Sequence, residues 1–258
     1  ELIPKIDDKD NQDQYIDCLI ENTKRNIGSE KFNQIKNQSL EYIKKDIQDD
    51  LSEFGVLFDS WFSEESMDKN GELDRAIQLL KKKDYLYEKD GATWFKATDL
   101  GDEKDRVVIR KNQNKTYFTS DIVYHHNKKE RGFDTLIDIL GSDHHGYIAR
   151  VKAGLEAMGH NSDDLDVQLV QFVSLYENGV KQAMSTRSGE FITLRQLREE
   201  VGNDAARFFY IMRSNEQHLD FDLALAKSKT SENPVYYIQY AHARIASVID
   251  QLNEKSLK

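Results

Sequence analysis

The chain has 258 residues, enough for one large domain or two modest ones, and 38% of them are hydrophobic, which is sufficient for a substantial core. The net charge of −10 argues against nucleic-acid binding through the overall field, and the single cysteine, Cys18, excludes an internal disulfide framework and fits a reducing compartment. No apolar run is long enough to cross a membrane, and from the opening residues we expect no signal peptide. We therefore expect a cytoplasmic protein without membrane contact. Because the chain starts without a methionine and ends within a helical pattern, we also expect a fragment.

Helical patterns dominate the first part of the chain. Apolar residues recur at helical spacing over residues 12–54, with a break at Gly28, and again over residues 72–83. Between them, the apolar and aromatic run at residues 56–62 predicts a strand. No catalytic motif is present in residues 12–54.

The spacing of apolar residues then changes from helical to alternating. Three short segments have a strand pattern and are separated by turn residues: 85–87, 93–98 and 106–110. They predict a small antiparallel subdomain inserted into a larger α/β unit. A helix is expected to begin near Ile122, with Ser120 or Asp121 as its cap.

The most informative stretch is residues 135–147. Residues 135–140 predict a buried strand, Gly141 ends it, and apolar residues at helical spacing predict a following helix closed by Gly159. Open α/β sheets place ligand sites at the carboxyl end of such a strand, and a glycine there allows a flat or phosphorylated ligand to approach the backbone.

Asp143, His144 and His145 lie at this junction, and three interpretations are open. They form a ligand site, or a turn in which Asp143 caps the helix and the histidines are exposed, or a metal site. Adjacent histidines rarely point at one ion from a helix start, and the other five histidines show no His-x-x-x-His spacing. The metal site is therefore the least favoured interpretation.

Beyond Gly159, residues 167–173 predict a strand and residues 177–179 a tight turn. The small, polar residues 181–189 predict a surface loop. Residues 194–201 and 204–213 predict helices. Asn233 and Pro234 open a last helix, with Pro234 in its first turn.

Seven short motifs occur in an order and at spacings that are typical of one family. They are YFTSD at 117–121, GSDHHGY at 141–147, QFV at 171–173, MSTRSG at 184–189, DAARFF at 204–209, HLDFD at 218–222 and NPVYYIQYAHAR at 233–244. On these motifs the chain resembles the arginyl-tRNA synthetases of bacterial type, which are class I aminoacyl-tRNA synthetases. The resemblance extends from about residue 50 to the end, and the ordered set is far more specific than any single motif.

The resemblance implies an α/β fold that contains the second half of a Rossmann-type catalytic domain, an inserted small α+β connective subdomain and α-helices after them. Four segments are expected on this basis. They are a helical segment with the connective subdomain at 1–115, the C-terminal Rossmann half with the signature loop at 116–190, a helical region for the tRNA stem at 191–232 and the start of the anticodon-binding helical domain at 233–258.

The resemblance also assigns an arginine site. Tyr117 and Asp121 match the pair that recognises the arginine side chain, and His144 is expected beside the amino acid or the ribose. A buried carboxylate accepts a guanidinium through two parallel hydrogen bonds, which the point charge of lysine cannot reproduce.

The implied ATP site begins at the strand end. Gly141 lets the adenylate approach, Asp143 accepts the ribose hydroxyls, and the backbone at Phe172 and Val173 meets the adenine. The matching signature loop stabilises the ATP phosphates, and it consists here of Met184, Ser185, Thr186 and Arg187. The loop departs from the family pattern, because Ala183 and Thr186 replace its two usual lysines. Lys181 or Arg187 is then the source of positive charge.

The implied activity is ligation of arginine to tRNA(Arg) through an arginyl-adenylate, with ATP and Mg²⁺, by an enzyme that is monomeric at full length. Activation is expected to depend on bound tRNA. The His-x-Gly-His signature that contacts ATP does not occur in the sequence, so these 258 residues alone are expected to be inactive. The alternatives are a non-catalytic arginine- or nucleotide-binding fragment and a metal-dependent hydrolase that uses Asp143, His144 and His145.

Overall fold

The computed structural model describes residues 12–182 and 191–255. Contacts divide the chain into two compact units, one ending at Asp59 and the other beginning at Ser60. Among the described residues, none of the helices has both the length and the apolar composition that crossing a bilayer requires.

The first unit consists of two helices, as the sequence predicted: α1 (Gln12–Ile27) and α2 (Ser29–Glu53). Gly28 separates them with a φ of 83°, which a residue with a side chain rarely adopts. No residue of α2 is buried, and its Ile35 and Ile43 are 56% and 55% exposed.

The strand predicted at residues 56–62 is wrong, because this stretch has no regular secondary structure. Leu57 and Phe58 are 80% and 56% exposed there. An apolar run becomes a strand only beside a partner strand, and the described part of the chain offers none to this segment.

The second unit opens with two helices and an antiparallel three-stranded sheet. The elements are α3 (Glu64–Lys69), α4 (Glu72–Lys82), β1 (Leu86–Lys89), β2 (Ala92–Phe95) and β3 (Arg106–Ile109). The strands lie in the order β1-β2-β3, and Asp90 and Gly91 turn between the first two with φ of 52° and 73°. This arrangement confirms the three predicted strands.

A parallel β-α-β unit comes next. Its elements are α5 (Tyr117–Glu130), β4 (Leu136–Gly141), a 3₁₀ helix (Ser142–Tyr147), α6 (Ile148–Met158) and β5 (Leu165–Val170). The strands pair from Leu136 opposite Leu165 to Gly141 opposite Val170, so both carboxyl ends lie at one edge. The prediction of a fully buried β4 is wrong, since Ile137 and Ile139 are 63% and 72% exposed. The opposite face, with Leu136 and Leu165, packs on α6.

The predicted start of α5 is also wrong. The helix begins at Tyr117 with Thr116 as its extended N-cap residue, so neither Ser120 nor Asp121 caps it. The Thr119 hydroxyl donates to the Val108 carbonyl at 2.6 Å and ties the first turn to β3. Asp143 does not cap α6 either, because it lies inside the 3₁₀ helix and Tyr147 occupies the N-cap position of α6.

The remaining elements form a second parallel pair with helices around it. They are β6 (Val173–Glu177), β7 (Val180–Lys181), α7 (Leu194–Val201), α8 (Asn203–Ile211), β8 (Leu219–Asp222), α9 (Leu223–Lys227) and α10 (Pro234–Glu254). The sheet order is β7-β6-β8, with β6 parallel to β8. Asn233 caps α10 by accepting from the Val235 amide at 3.0 Å, which confirms the predicted start.

Two predictions for this part of the chain need correction, and one strand was missed. The strand expected over residues 167–173 is divided, because the Gln171 amide donates to the Asn215 carbonyl at 2.8 Å instead of continuing the ladder. Strand β8 was not predicted. Helix α8 ends at Ile211, two residues earlier than expected.

Two large cores organise this unit. The first joins the antiparallel sheet to α4, α5 and α6 through Leu80, Phe95, Val108, Ile122 and Ala153. Sheet β1-β2-β3 therefore shares its core with the helix that precedes β4. The second core contains Leu175, Leu197, Phe209, Phe221 and Val235.

Candidate active site

The carboxyl end of β4 is shaped by a glycine. Gly141 has φ of −64° and ψ of 150°, which any residue can adopt. A Cβ at this position would lie 2.6 Å from Oδ1 of Asp143, so a side chain would displace that carboxylate. Gly141 therefore gives the Asp143 carboxylate its present position, although this exposed side chain can rotate away from a Cβ.

The polar side chains after Gly141 face solvent. The side chains of Asp143 and His144 are 59% and 52% exposed, and Oδ2 and Nε2 are 3.7 Å apart. In the described part of the chain, residues 143–145 do not form a group of three ligand atoms close enough for one ion. The geometry favours an open ligand site over the metal centre of the hydrolase alternative.

Close packing of α5 on α6 brings Asp121 to the 3₁₀ helix. A Cβ at Gly154 would lie 2.6 Å from Cγ1 of Ile122, so the glycine permits this approach. The Tyr147 hydroxyl consequently donates a hydrogen bond to the Asp121 carboxylate. The Tyr147 ring also contacts the Arg150 guanidinium, 4.7 Å from the ring centroid. The structure thus joins Asp121 to the segment that carries Asp143 and His144.

The Asp121 carboxylate is poorly solvated. Burial raises the pKa of Asp121, the Tyr147 hydrogen bond opposes this effect, and the negative charge of Glu64 adds to it. Burial and the Asp121 carboxylate together raise the pKa of Tyr147. A desolvated carboxylate beside a second acid gains most from a cationic partner.

A buried charge network holds α5 on β4. The Asp121 carbonyl is an acceptor 2.7 Å from Nδ1 of His125, and Nε2 of His125 lies 2.5 Å from Oδ2 of Asp138. Lys128 donates to Oδ1 of Asp138 at 2.7 Å. Burial raises the pKa of Asp138, but the hydrogen bonds from His125 and Lys128 outweigh it and lower the pKa to about 2. The sequence prediction missed this network, although a charged residue inside the apolar run 136–140 was a usable signal.

A cleft of about 680 Å³ opens beside the first turn of α5, where Tyr117 and Ser120 line it. Its charged lining is mixed, because Glu64, Glu65 and Asp68 face it together with Arg110 and Lys115, and Lys115 pairs with Asp68 at 2.9 Å. Tyr117 is 78% exposed, whereas Asp121, one turn further along the helix, is mostly buried. The structure therefore brings both predicted arginine-binding residues to the same part of α5.

Two other predicted site residues, Phe172 and Val173, directly follow the carboxyl end of β5, and Lys181 lies opposite Tyr176 in the β6–β7 hairpin. Phe172 is 61% exposed in the connection to β6, Val173 begins β6, and Lys181 is exposed at the end of β7. Asn215 fixes the connection by donating to the Leu169 carbonyl at 3.0 Å. The predicted loop residues Met184, Ser185, Thr186 and Arg187 lie outside the described residues.

Comparison with known protein families assigns the chain to one of them. The family described as "tRNA synthetases class I (R), catalytic domain" matches residues 11–246. The chain belongs to this family. The resemblance found in the ordered motifs is thereby confirmed.

Curated relatives of this catalytic domain include arginine–tRNA ligases from Legionella pneumophila (strain Corby) and Hydrogenovibrio crunogenus. The first is 56% identical over 247 residues, covering 96% of this chain and 42% of the relative. The second is 58% identical over 244 residues, covering 95% and 41%. The chain thus spans about two fifths of the length of these relatives.

Solved structures agree with the class I arginyl-tRNA synthetase catalytic fold. A structure from Campylobacter jejuni, named as an arginyl-tRNA synthetase, superposes with a TM-score of 0.81 at 34% identity and covers 98% of this chain and 56% of that one. Thermus thermophilus arginyl-tRNA synthetase superposes with a TM-score of 0.66 at 18% identity, covering 92% and 48%, and supports the fold alone. The predicted α/β class with a Rossmann half is confirmed.

Proposed function

We propose that this chain supplies catalytic-domain residues of an arginine–tRNA ligase. In the first step the arginine carboxylate attacks the α-phosphorus of ATP and pyrophosphate leaves. In the second step a hydroxyl of the terminal adenosine of tRNA(Arg) attacks the arginyl carbonyl of the adenylate, an ester bond forms, and AMP leaves as the acyl–phosphate bond breaks. The family match and the arginine–tRNA ligase relatives support this assignment. The observation that carries it is the desolvated Asp121 carboxylate beside Tyr147.

Asp121 is proposed to receive the guanidinium of arginine. One end of its carboxylate is held by the Tyr147 hydroxyl, which fixes the orientation of the remaining lone pairs. A planar guanidinium donates directed hydrogen bonds that match a carboxylate of fixed orientation better than those of an ammonium group do. Tyr117, four residues earlier on the same helix face, would cover the substrate side chain, and His144 would lie beside its α-carbon end or the ribose.

The ATP site is proposed along the shared edge of β4 and β5. Gly141 gives the nucleotide access to the backbone, Asp143 accepts from the ribose hydroxyls, and Phe172 and Val173 meet the adenine. Lys181 and the segment 184–187 would complete the phosphate contacts. Mg²⁺, when bound, would neutralise phosphate charge, with phosphate oxygens among the oxygen ligands that this ion prefers.

The remaining proposals concern partners and location. The overall charge of −10 disfavours a general attraction to RNA, so contact with tRNA is proposed to use local surfaces of α7, α8 and α10. We propose a monomer as the full-length enzyme and a cytoplasmic location.

A titration of the chain with arginine, lysine and citrulline tests the arginine site. Citrulline keeps the shape of arginine but lacks its charge. Asp121→Asn is expected to weaken arginine binding by about 2–5 kcal/mol, the usual effect of removing one partner of a buried charged pair, and to leave citrulline binding unchanged. Asp163→Asn is the matched control, because Asp163 is an exposed acid in the turn after α6.

Equal arginine affinity in wild type and Asp121→Asn would refute the assigned role. A pyrophosphate-exchange assay with added tRNA(Arg) separates the ligase from a binding module when it is run on an enzyme that also carries a His-x-Gly-His segment, because these 258 residues alone are expected to be inactive. Arginine binding without exchange in that enzyme would favour the non-catalytic alternative.

A further inference from the structure

A second cluster of ligand side chains lies away from the candidate active site. His126 and Glu130 are one turn apart near the C-terminal end of α5, and His160 follows the last residue of α6 by two positions. One ligand atom from each residue lies within 4.8 Å of the other two. Gly159 makes this possible because its φ of 102° turns the chain back toward α5.

The two imidazoles already face each other. Nδ1 of His126 and Nε2 of His160 are 2.7 Å apart, and the ring centroids are 5.0 Å apart. Zinc–nitrogen bonds of about 2.0–2.1 Å in a tetrahedral site place two such nitrogens about 3.3 Å apart. A movement of a few tenths of an ångström in each ring would therefore admit an ion, and the Glu130 carboxylate lies close enough to complete three protein ligands.

We propose that His126, Glu130 and His160 bind a divalent transition metal, with Zn²⁺ as the best fit. Two imidazole nitrogens and one carboxylate oxygen are a donor set that Zn²⁺ prefers, and Mg²⁺ does not. The site leaves a fourth position for water. A cleft of about 350 Å³, lined by His126, Glu130, Asn127 and Glu72, gives the ion a path from solvent.

The charges around the cluster are compatible with a cation. Arg75 and two lysines are close, but their cationic groups are directed to other oxygens, and Arg75 donates to the Asn70 carbonyl at 2.8 Å. Lys83 donates to the Ala157 carbonyl at 3.0 Å, and Lys129 donates to Asp164 at 2.7 Å. Glu72 adds a further negative charge near His126.

A bound ion would join the end of α5 to the turn after α6. Because the three ligands come together only in the folded chain, metal binding would favour the folded state. The expected role is structural, since the cluster lies toward the opposite end of α5 from Tyr117. This inference is independent of the proposed ligase function.

A titration of the chelator-treated chain with Zn²⁺ tests the site. We expect one bound equivalent and a higher melting temperature, both lost in His160→Ala and reduced in Glu130→Gln. Cys18→Ser and His242→Ala are controls for an exposed thiol and an exposed histidine, and both are expected to bind like wild type. Circular dichroism establishes that each variant is folded.

X-ray absorption of the zinc-loaded wild type keeps the test decisive if His160→Ala does not fold. Two imidazoles with an oxygen ligand would support the site, whereas a sulfur ligand would place the metal at Cys18 and overturn it. The proposal also fails if no equivalent binds, if His160→Ala binds like wild type, or if His145→Ala abolishes binding.

Discussion

The two parallel strand pairs of the second unit differ in the role of the acidic residue at the carboxyl end of a strand. Strand β8 ends in Asp222, whose carboxylate accepts from the Leu225 amide at 3.0 Å and caps α9. Strand β4 ends at Gly141, and the next acid along the chain, Asp143, caps no helix and is 59% exposed. The same residue type thus completes a helix at one strand end and remains available to a ligand at the other.

The two strand pairs also differ in how deeply their apolar side chains are buried. Leu175, Leu219 and Phe221 are at most 5% exposed in the β6–β8 pair. In the β4–β5 pair, Ile137 and Ile139 are 63% and 72% exposed, and the position between them holds the ionised, partly buried Asp138. We infer that β6–β8 is organised for stability, whereas β4–β5 is organised to hold α5 and the turn at 141–147 in place.

The largest expected effect is on the free energy of unfolding, and it distinguishes the buried side chains of β6–β8 from the exposed side chains of β4. Phe221→Ala is expected to lower the free energy of unfolding by about 3–5 kcal/mol, because it removes a fully buried ring from the second core. Ile139→Ala is expected to change it by less than about 0.5 kcal/mol, because that side chain is exposed. Urea unfolding of both variants measures the difference. Similar losses would show that β4 is covered in solution and would contradict the comparison.

The next effect concerns the charge network behind β4. Folding lowers the pKa of Asp138 from 3.8 to about 2, so its ionised form stabilises the fold above about pH 4, and this contribution is lost as the pH falls through about 2. The shift corresponds to at most about 2 kcal/mol at neutral pH, because solvent screening at this partly exposed carboxylate reduces its effect. Asp138→Asn should lower the free energy of unfolding by roughly that amount at pH 7. Below about pH 4, the free energy of unfolding of the variant should then depend less on pH than that of the wild type.

The matched control for Asp138→Asn is Asp166→Asn on the neighbouring strand, where the carboxylate is exposed. It is expected to leave this pH dependence unchanged. An unaltered profile in Asp138→Asn would mean that His125 and Lys128 do not lower the pKa of Asp138 in solution.

Local features explain the elements that the sequence predicted well. Asn233 and Pro234 start α10, Asn178 and Gly179 turn between β6 and β7 with φ of 51° and 77°, and Gly159 ends α6. Each of these depends on the conformational preference of one or two neighbouring residues. Periodicity is equally local, which is why α4 and α7 were found with nearly correct ends.

The wrong or missing predictions concern features that depend on contacts between residues far apart in the sequence. Strand β8 exists because it pairs with β6, about 45 positions earlier, and the start of α5 depends on the contact of Thr119 with Val108. The Asp121–Tyr147 hydrogen bond joins residues 26 positions apart, and no spacing rule predicts it. The motif order identified the family, but the close approach at Gly154, which brings Asp121 to Tyr147, was visible only in the structure.

The smallest expected effect tests the two acids at the strand ends. Asp222→Ala removes a helix cap and is expected to lower the free energy of unfolding by about 1 kcal/mol. Asp143→Ala removes no cap, so its stability should stay within about 0.5 kcal/mol of wild type while ATP binding weakens. Chemical unfolding and an ATP titration of both variants separate the two roles. Loss of stability in Asp143→Ala with unchanged ATP affinity would reverse the assignment, since the exposed acid would then serve the fold and not the ligand.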